Sequence, residues 1–120
     1  VGGYQVSNNS MYADSGRGYT VAGEIKPDFA APAVSVYGPG LRQNYVTYTG
    51  TSAAAAVTAG AVAQIMQWAL VQQNDPVMSN AAIKNMLIRG AKRSEDRGYP
   101  NREWGYGALD VYQAFEYLRL

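Results

Sequence analysis

The sequence predicts an α/β chain, and three observations carry that expectation. The first 50 residues are rich in Gly, Pro, Ser, Tyr and Val and hold short β-like runs between turn formers. At Ser52 the composition changes abruptly to Ala, Val, Ile and Met, almost without a breaker as far as about Gln73. Two more segments with helical periodicity and helix-start signals follow it.

Taken in order, Val1-Gly2-Gly3-Tyr4-Gln5-Val6 reads as a strand already under way, with neither an initiator Met nor a signal-peptide pattern before it. The expectation is a chain cut from a longer one. Ser15-Gly16-Arg17-Gly18 is a loop by composition, and Pro27, Pro32 and Pro39 forbid a central helix around them. Further strands are expected at Ala33–Tyr37 and Asn44–Thr49.

The run from Ser52 predicts a helix of roughly 30 Å at ~1.5 Å per residue. Val62, Ile65, Met66, Ala69 and Leu70 fall on one face, while Ala56, Ala59, Gly60 and Ala63 form a small-residue surface suited to close backbone approach. A helix apolar on several faces needs walls on several sides. The reading therefore expects either the rest of a domain or self-association to cover it. A second helix is expected after the cap Ser79, with Ile83, Met86 and Leu87 on its core stripe and Gly90 as a left-handed terminator. A third is signalled by Asp110 and Gln113 in a capping-box arrangement, with Val111, Ala114, Phe115 and Leu118 facing inward. Between these two lies the aromatic and glycine loop from Tyr99 to Gly107.

Composition narrows the functional classes. At 120 residues and 48% hydrophobic, the chain makes one small domain or a piece of one. Ten basic and nine acidic residues are scattered along it, so no nucleic-acid or membrane partner is expected. The apolar stretch Ala53–Ile65, interrupted by Thr58, Gly60 and Gln64, reads as short of a membrane span and the chain as soluble. The absence of cysteine excludes disulfides, thiolate catalysis and cysteine metal sites while leaving the compartment open. No cluster of carboxylates forms a recognisable calcium loop, so no metal and no cofactor is assigned. Histidine is absent too, which removes the commonest general base near neutral pH.

The segment that carries chemistry is Thr49-Gly50-Thr51-Ser52-Ala53-Ala54, where the loop-rich half meets the long helix. Ser52 then stands at or next to a helix N-terminus. Unpaired N–H groups and the positive end of the helix dipole there stabilise charge developing on an acyl oxygen, and Gly50 lets the backbone approach closely. The competing reading makes Ser52 an N-cap and nothing more.

Gly50-Thr51-Ser52-Ala53-Ala54, with Ala59-Gly60 beyond it, resembles the nucleophile signature of subtilisin-like serine proteases, the subtilases of peptidase family S8. Lys26-Pro27-Asp28-Phe29-Ala30-Ala31-Pro32 is similar to a second block of that family, Ser15-Gly16-Arg17-Gly18 to the loop before it, and Val1-Gly2-Gly3 to its V-G-A strand. Trp104-Gly105-Tyr106-Gly107-Ala108-Leu109-Asp110, followed by Ala114, resembles the closing helix. A narrower resemblance, through Gly16–Thr20 and Tyr99–Gly107, is to clostridial subtilases including the Csp proteases of spore germination. Ala56, Val57 and Ala33 stand where the family usually has Pro, His and Gly.

The resemblance implies the C-terminal portion of a doubly wound, mainly parallel-sheet subtilisin-like domain. Residues 1–120 would form one segment of a single catalytic domain whose Asp- and His-bearing N-terminal part is absent. It further implies a serine endopeptidase acting on protein or peptide substrates, with Ser52 as nucleophile, the missing part of the domain as partner, and no activity in this chain alone. The alternative is a pseudoprotease serving as a binding or signalling module. A secreted or spore-associated location rests on the same likeness. Asp14, Asp28 and Asp110 are read as structural, and Arg17, Tyr19, Tyr99, Arg102 and Trp104 either line a partner surface or cover the chain's own core.

Overall fold

A computed structural model of the chain describes residues 1–119. Strand β1 (Gly2–Gln5) pairs antiparallel with the short β2 (Ser10–Met11) and parallel with β3 (Ala30–Pro32), in the order β2-β1-β3. The ladder continues past β3. Leu109 N–H donates to the Ala30 carbonyl at 2.7 Å and Ala30 N–H to the Gly107 carbonyl at 2.9 Å, making a parallel bridge to Ala108. Ala108 in turn exchanges hydrogen bonds with Lys92 at 2.8 and 2.9 Å. The fold class is α/β, as the sequence predicts.

Strand β3 falls in a segment to which the sequence reading assigns no element, just before the strand expected at Ala33–Tyr37. Neighbours on both sides supply the hydrogen bonds that make it a strand, and local propensity cannot report these. The expected strand at Ala33–Tyr37 is displaced for a related reason. Ala33 belongs to the first sheet, its N–H donating to the Tyr4 carbonyl at 2.9 Å. Ser35 then adopts a left-handed φ of 52° and turns the chain outward. Strand β4 (Val36–Pro39) begins after it and pairs antiparallel with β5 (Tyr45–Tyr48) in a separate two-stranded ribbon.

Helix α1 (Thr51–Met66) packs on β1 and β3 and continues into a π-helical turn at Gln67–Val71. Its buried residues are Ala54, Thr58, Ala61 and Ile65. The Thr58 hydroxyl donates to the Ala54 carbonyl at 2.9 Å, so the helix satisfies its own buried polar group. Of the expected core face, Ile65 and Ala69 are buried and Val62 and Leu70 partly so, but Met66 is exposed. Ala56, Ala59, Gly60 and Ala63 are exposed as well, so the described residues leave the small-residue surface uncovered. Counted as one element, Thr51–Val71 is long and apolar enough to cross a membrane, though a core helix passes the same test. The apolar stretch Ala53–Ile65, which the sequence reading takes as short of a span, is only part of this element.

Helix α2 (Asn80–Gly90) starts where expected, with Ser79 Oγ accepting from Ala82 N–H at 3.2 Å. Helix α3 (Val111–Glu116) is capped by Asp110, whose Oδ1 accepts from Gln113 N–H at 2.9 Å. Ile83, Met86 and Leu87 meet Phe29, Ile65 and Ala114 in the main core, with Val111 and Phe115 packed against it. Leu118, expected inside, is exposed. Gly90 is not a left-handed terminator: the turn is made by extended Ala91, and Gly90 is instead where α2 lies against α3. The aromatic loop divides. Trp104 is 4% exposed in a small core with Ala30 and Ala108, whereas Arg17, Tyr19 and Arg102 are on the surface.

Candidate active site

Ser52 is positioned by the turn before it. Gly50 holds φ 142°, a conformation that side-chain-bearing residues rarely adopt, and its N–H donates to the Ala33 carbonyl at 2.7 Å. This bond ties the start of α1 to the end of the first sheet. Gly50 is the N-cap residue, its carbonyl accepting from Ala53 N–H at 3.0 Å and Ala54 N–H at 3.4 Å. Ser52 is therefore the second residue inside the helix, and the N-cap alternative fails on geometry because the cap position belongs to a glycine without a side chain.

What remains at this helix end is chemically open. The Ser52 side chain is exposed, and its hydroxyl makes no hydrogen bond among the described residues. The N–H groups of Thr51 and Ser52 have no carbonyl a turn earlier to bond, and no acidic residue lies in the first turn to offset the helix dipole. A hydroxyl and two outward N–H donors thus share one point of positive potential.

Ser52 sits on the rim of an open groove of about 460 Å³ between α1 and the β4–β5 ribbon. Val36, Pro39, Tyr48, Ala53, Ala56 and Val57 make its walls largely apolar. The ribbon is braced by Tyr48 Oη donating to the Pro39 carbonyl at 2.6 Å, and its base by Ser35 N–H donating to Thr49 Oγ1 at 2.9 Å. The ribbon residues are site neighbours that reading the sequence did not single out. They come to line the same groove as Ser52 only because β4 and β5 pair beside the start of α1, an arrangement that the residues next to Ser52 do not announce.

Among the described residues no carboxylate lines this groove. Asp28 lines a different cavity, of about 310 Å³, beside Thr58 and Val62 farther along α1. It accepts hydrogen bonds or ion pairs from Lys26 at 3.0 Å and Lys84 at 3.4 Å. Burial pushes its carboxyl up, but the two lysines outweigh that and hold it below the usual carboxylate range. Asp110 is the α3 cap, and Asp14 accepts weakly from Tyr12 Oη at 3.4 Å. Among the described residues no group of three or more metal-ligating side chains comes together.

Comparisons with known proteins identify the family. The sequence model of the Subtilase family, Peptidase_S8, matches residues 1–107. The membrane-bound transcription factor site-1 protease of Mus musculus is 32% identical over 124 residues, covering 98% of this chain and 11% of that protein. The solved structure of the Clostridium perfringens CspB protease superposes with a TM-score of 0.92 at 37% identity, over 98% of this chain and 26% of that one. The prenylagaramide maturation protease PagA, at 19% identity and a TM-score of 0.76, covers 98% of this chain and 41% of its own and shares the fold. The chain thus spans about a tenth of the curated relative and about a quarter of CspB. With the family pattern running through the loop, strand and helix that place Ser52, the chain belongs to the subtilase family.

Proposed function

We propose that residues 1–120 are the C-terminal segment of a subtilase catalytic domain, and that Ser52 is the nucleophile with which the intact protein hydrolyses peptide bonds. The single observation that carries this reading is the exposed, unpartnered Ser52 hydroxyl on the first turn of α1, beside a groove that can seat a chain. In the first step Ser52 Oγ attacks the scissile carbonyl and its proton passes to a base. The carbonyl oxygen becomes an oxyanion that the Ser52 N–H and the helix dipole stabilise. Collapse expels the amine, which takes the proton back from the base, and water then releases the acyl group by the same route.

The base is not among these residues: the sequence has no histidine, and among the described residues no carboxylate lines the groove. A segment carrying it, together with the carboxylate that orients it, must come from elsewhere in the protein. That segment is the natural partner of the uncovered face of α1, and this chain alone is expected to be inactive.

Labelling with a fluorophosphonate probe tests the reading. The full-length parent is expected to label and its Ser52→Ala variant not to, while this chain alone stays unlabelled. A folded parent that does not label would favour a binding module without catalysis.

A further inference from the structure

We propose that the cleft between Tyr19 and the 97–104 loop is a binding site for acidic peptide segments, separate from the groove at Ser52. The cleft has a volume of about 500 Å³, and Arg97 and Arg102 line it. Both guanidinium groups are held rather than free. Arg97 lies 4.3 Å above the Trp104 ring and donates through Nη2 to the Asn9 carbonyl at 3.1 Å. Arg102 lies 4.8 Å above the Tyr19 ring and donates through Nη1 to the Gly18 carbonyl at 3.4 Å. These contacts restrain each fork and lower the entropy lost when it engages a ligand.

Each guanidinium has five N–H donors, and one hydrogen bond apiece leaves most of them unused. Neither arginine forms an ion pair with a described carboxylate within 4 Å. Glu103, the acidic group lining the cleft, is taken by Arg17 at 3.3 Å. Asp96 is hydrogen-bonded by Ser94 Oγ and meets Arg97 only as a more distant charge. Two guanidinium forks held by ring and backbone contacts, with N–H donors to spare, suit carboxylates, which they can grip through two parallel N–H donors.

A peptide fits better than a nucleic acid. The chain carries a net charge of only +1, which gives no extended positive field for a phosphate backbone, whereas a short acidic segment needs only the two arginine forks. A recess of about 340 Å³ shares Tyr19 with the cleft and reaches Thr51, so a chain bound there has a path toward the first turn of α1.

The test is the anisotropy of a fluorescein-labelled tetraglutamate peptide titrated with the full-length parent. Arg102→Gln and Arg97→Gln are each expected to weaken binding about tenfold, the loss of roughly one charge-assisted hydrogen bond. Arg42→Gln, the same charge change on the exposed tip of the β4–β5 ribbon, is expected to leave it unchanged. Arg97→Gln also uncovers Trp104, so thermal unfolding is run alongside, and if that variant is unstable the rim variant Arg102→Gln decides. An undetectable complex with the parent would overturn the proposal, as would an Arg42→Gln loss equal to that of Arg102→Gln. Tighter, Arg102-dependent binding of a single-stranded oligonucleotide of equal charge would overturn it in favour of nucleic acid.

Discussion

A methyl carbon placed on Gly90 would lie 2.5 Å from the Ala114 Cα, so the glycine is what allows α2 and α3 to touch backbone to backbone. The obstacle is main chain, which cannot rotate aside as a side-chain tip can. Gly90→Ala is expected to destabilise the full-length parent by about 1–3 kcal/mol or more through overpacking, despite alanine's better helix propensity. Chemical denaturation measures this, and a neutral or stabilising change would show the helices free to move apart.

Gly60 is the opposite case, mid-helix with nothing within 4 Å of an added methyl. If the remaining part of the domain packs on the small-residue face of α1, Gly60→Ala costs stability in the intact protein. A gain of about 1 kcal/mol, the intrinsic helix preference, would mean instead that this face meets solvent. The same denaturation experiment separates the two, and a loss is the expected result.

At Gly50 an added methyl has room, its nearest neighbour being Ser52 N at 3.9 Å, but the φ of 142° is strained for any other residue. Gly50→Ala is expected to cost roughly 1–3 kcal/mol in backbone strain. Relaxing that strain moves the turn carrying Ser52, so kcat of the parent on a peptide substrate should fall further than its stability alone explains. Steady-state kinetics well below the melting temperature check this. Unchanged kcat would show that the turn does not set the position of Ser52.

Asp28 links the loop before β3 to α2 through Lys26 and Lys84. Its folded-state pKa is depressed, so its stabilising contribution is complete above the unfolded value of about 3.9 and is lost as pH falls through the folded one. Asp28→Asn is thus expected to cost stability at neutral pH and progressively less below about pH 4. The lysines are 43% and 48% exposed, which limits the difference to about 0.5–1 kcal/mol. Parallel denaturation curves for the two proteins at pH 7 and pH 3 test this, and a gap that widens in acid would contradict the sign.

Local chemistry written in the sequence determined much of this protein. The caps Ser79 and Asp110, the stripe Ile83, Met86 and Leu87, and the long run from Ser52 each act within a turn or two of themselves, where spacing and residue type suffice. The family blocks were legible for the same reason, as was the lack of a histidine. Tertiary structure alone decided the rest. Strand β3 exists because β1 and the Ala108 segment supply its hydrogen bonds, and Gly90 serves a helix contact that its own neighbours do not announce. The groove at Ser52 and the arginine cleft also join residues far apart in the chain. In each of these the deciding energy comes from backbone pairing, close packing or charges brought together by folding, and a linear reading contains none of those distances.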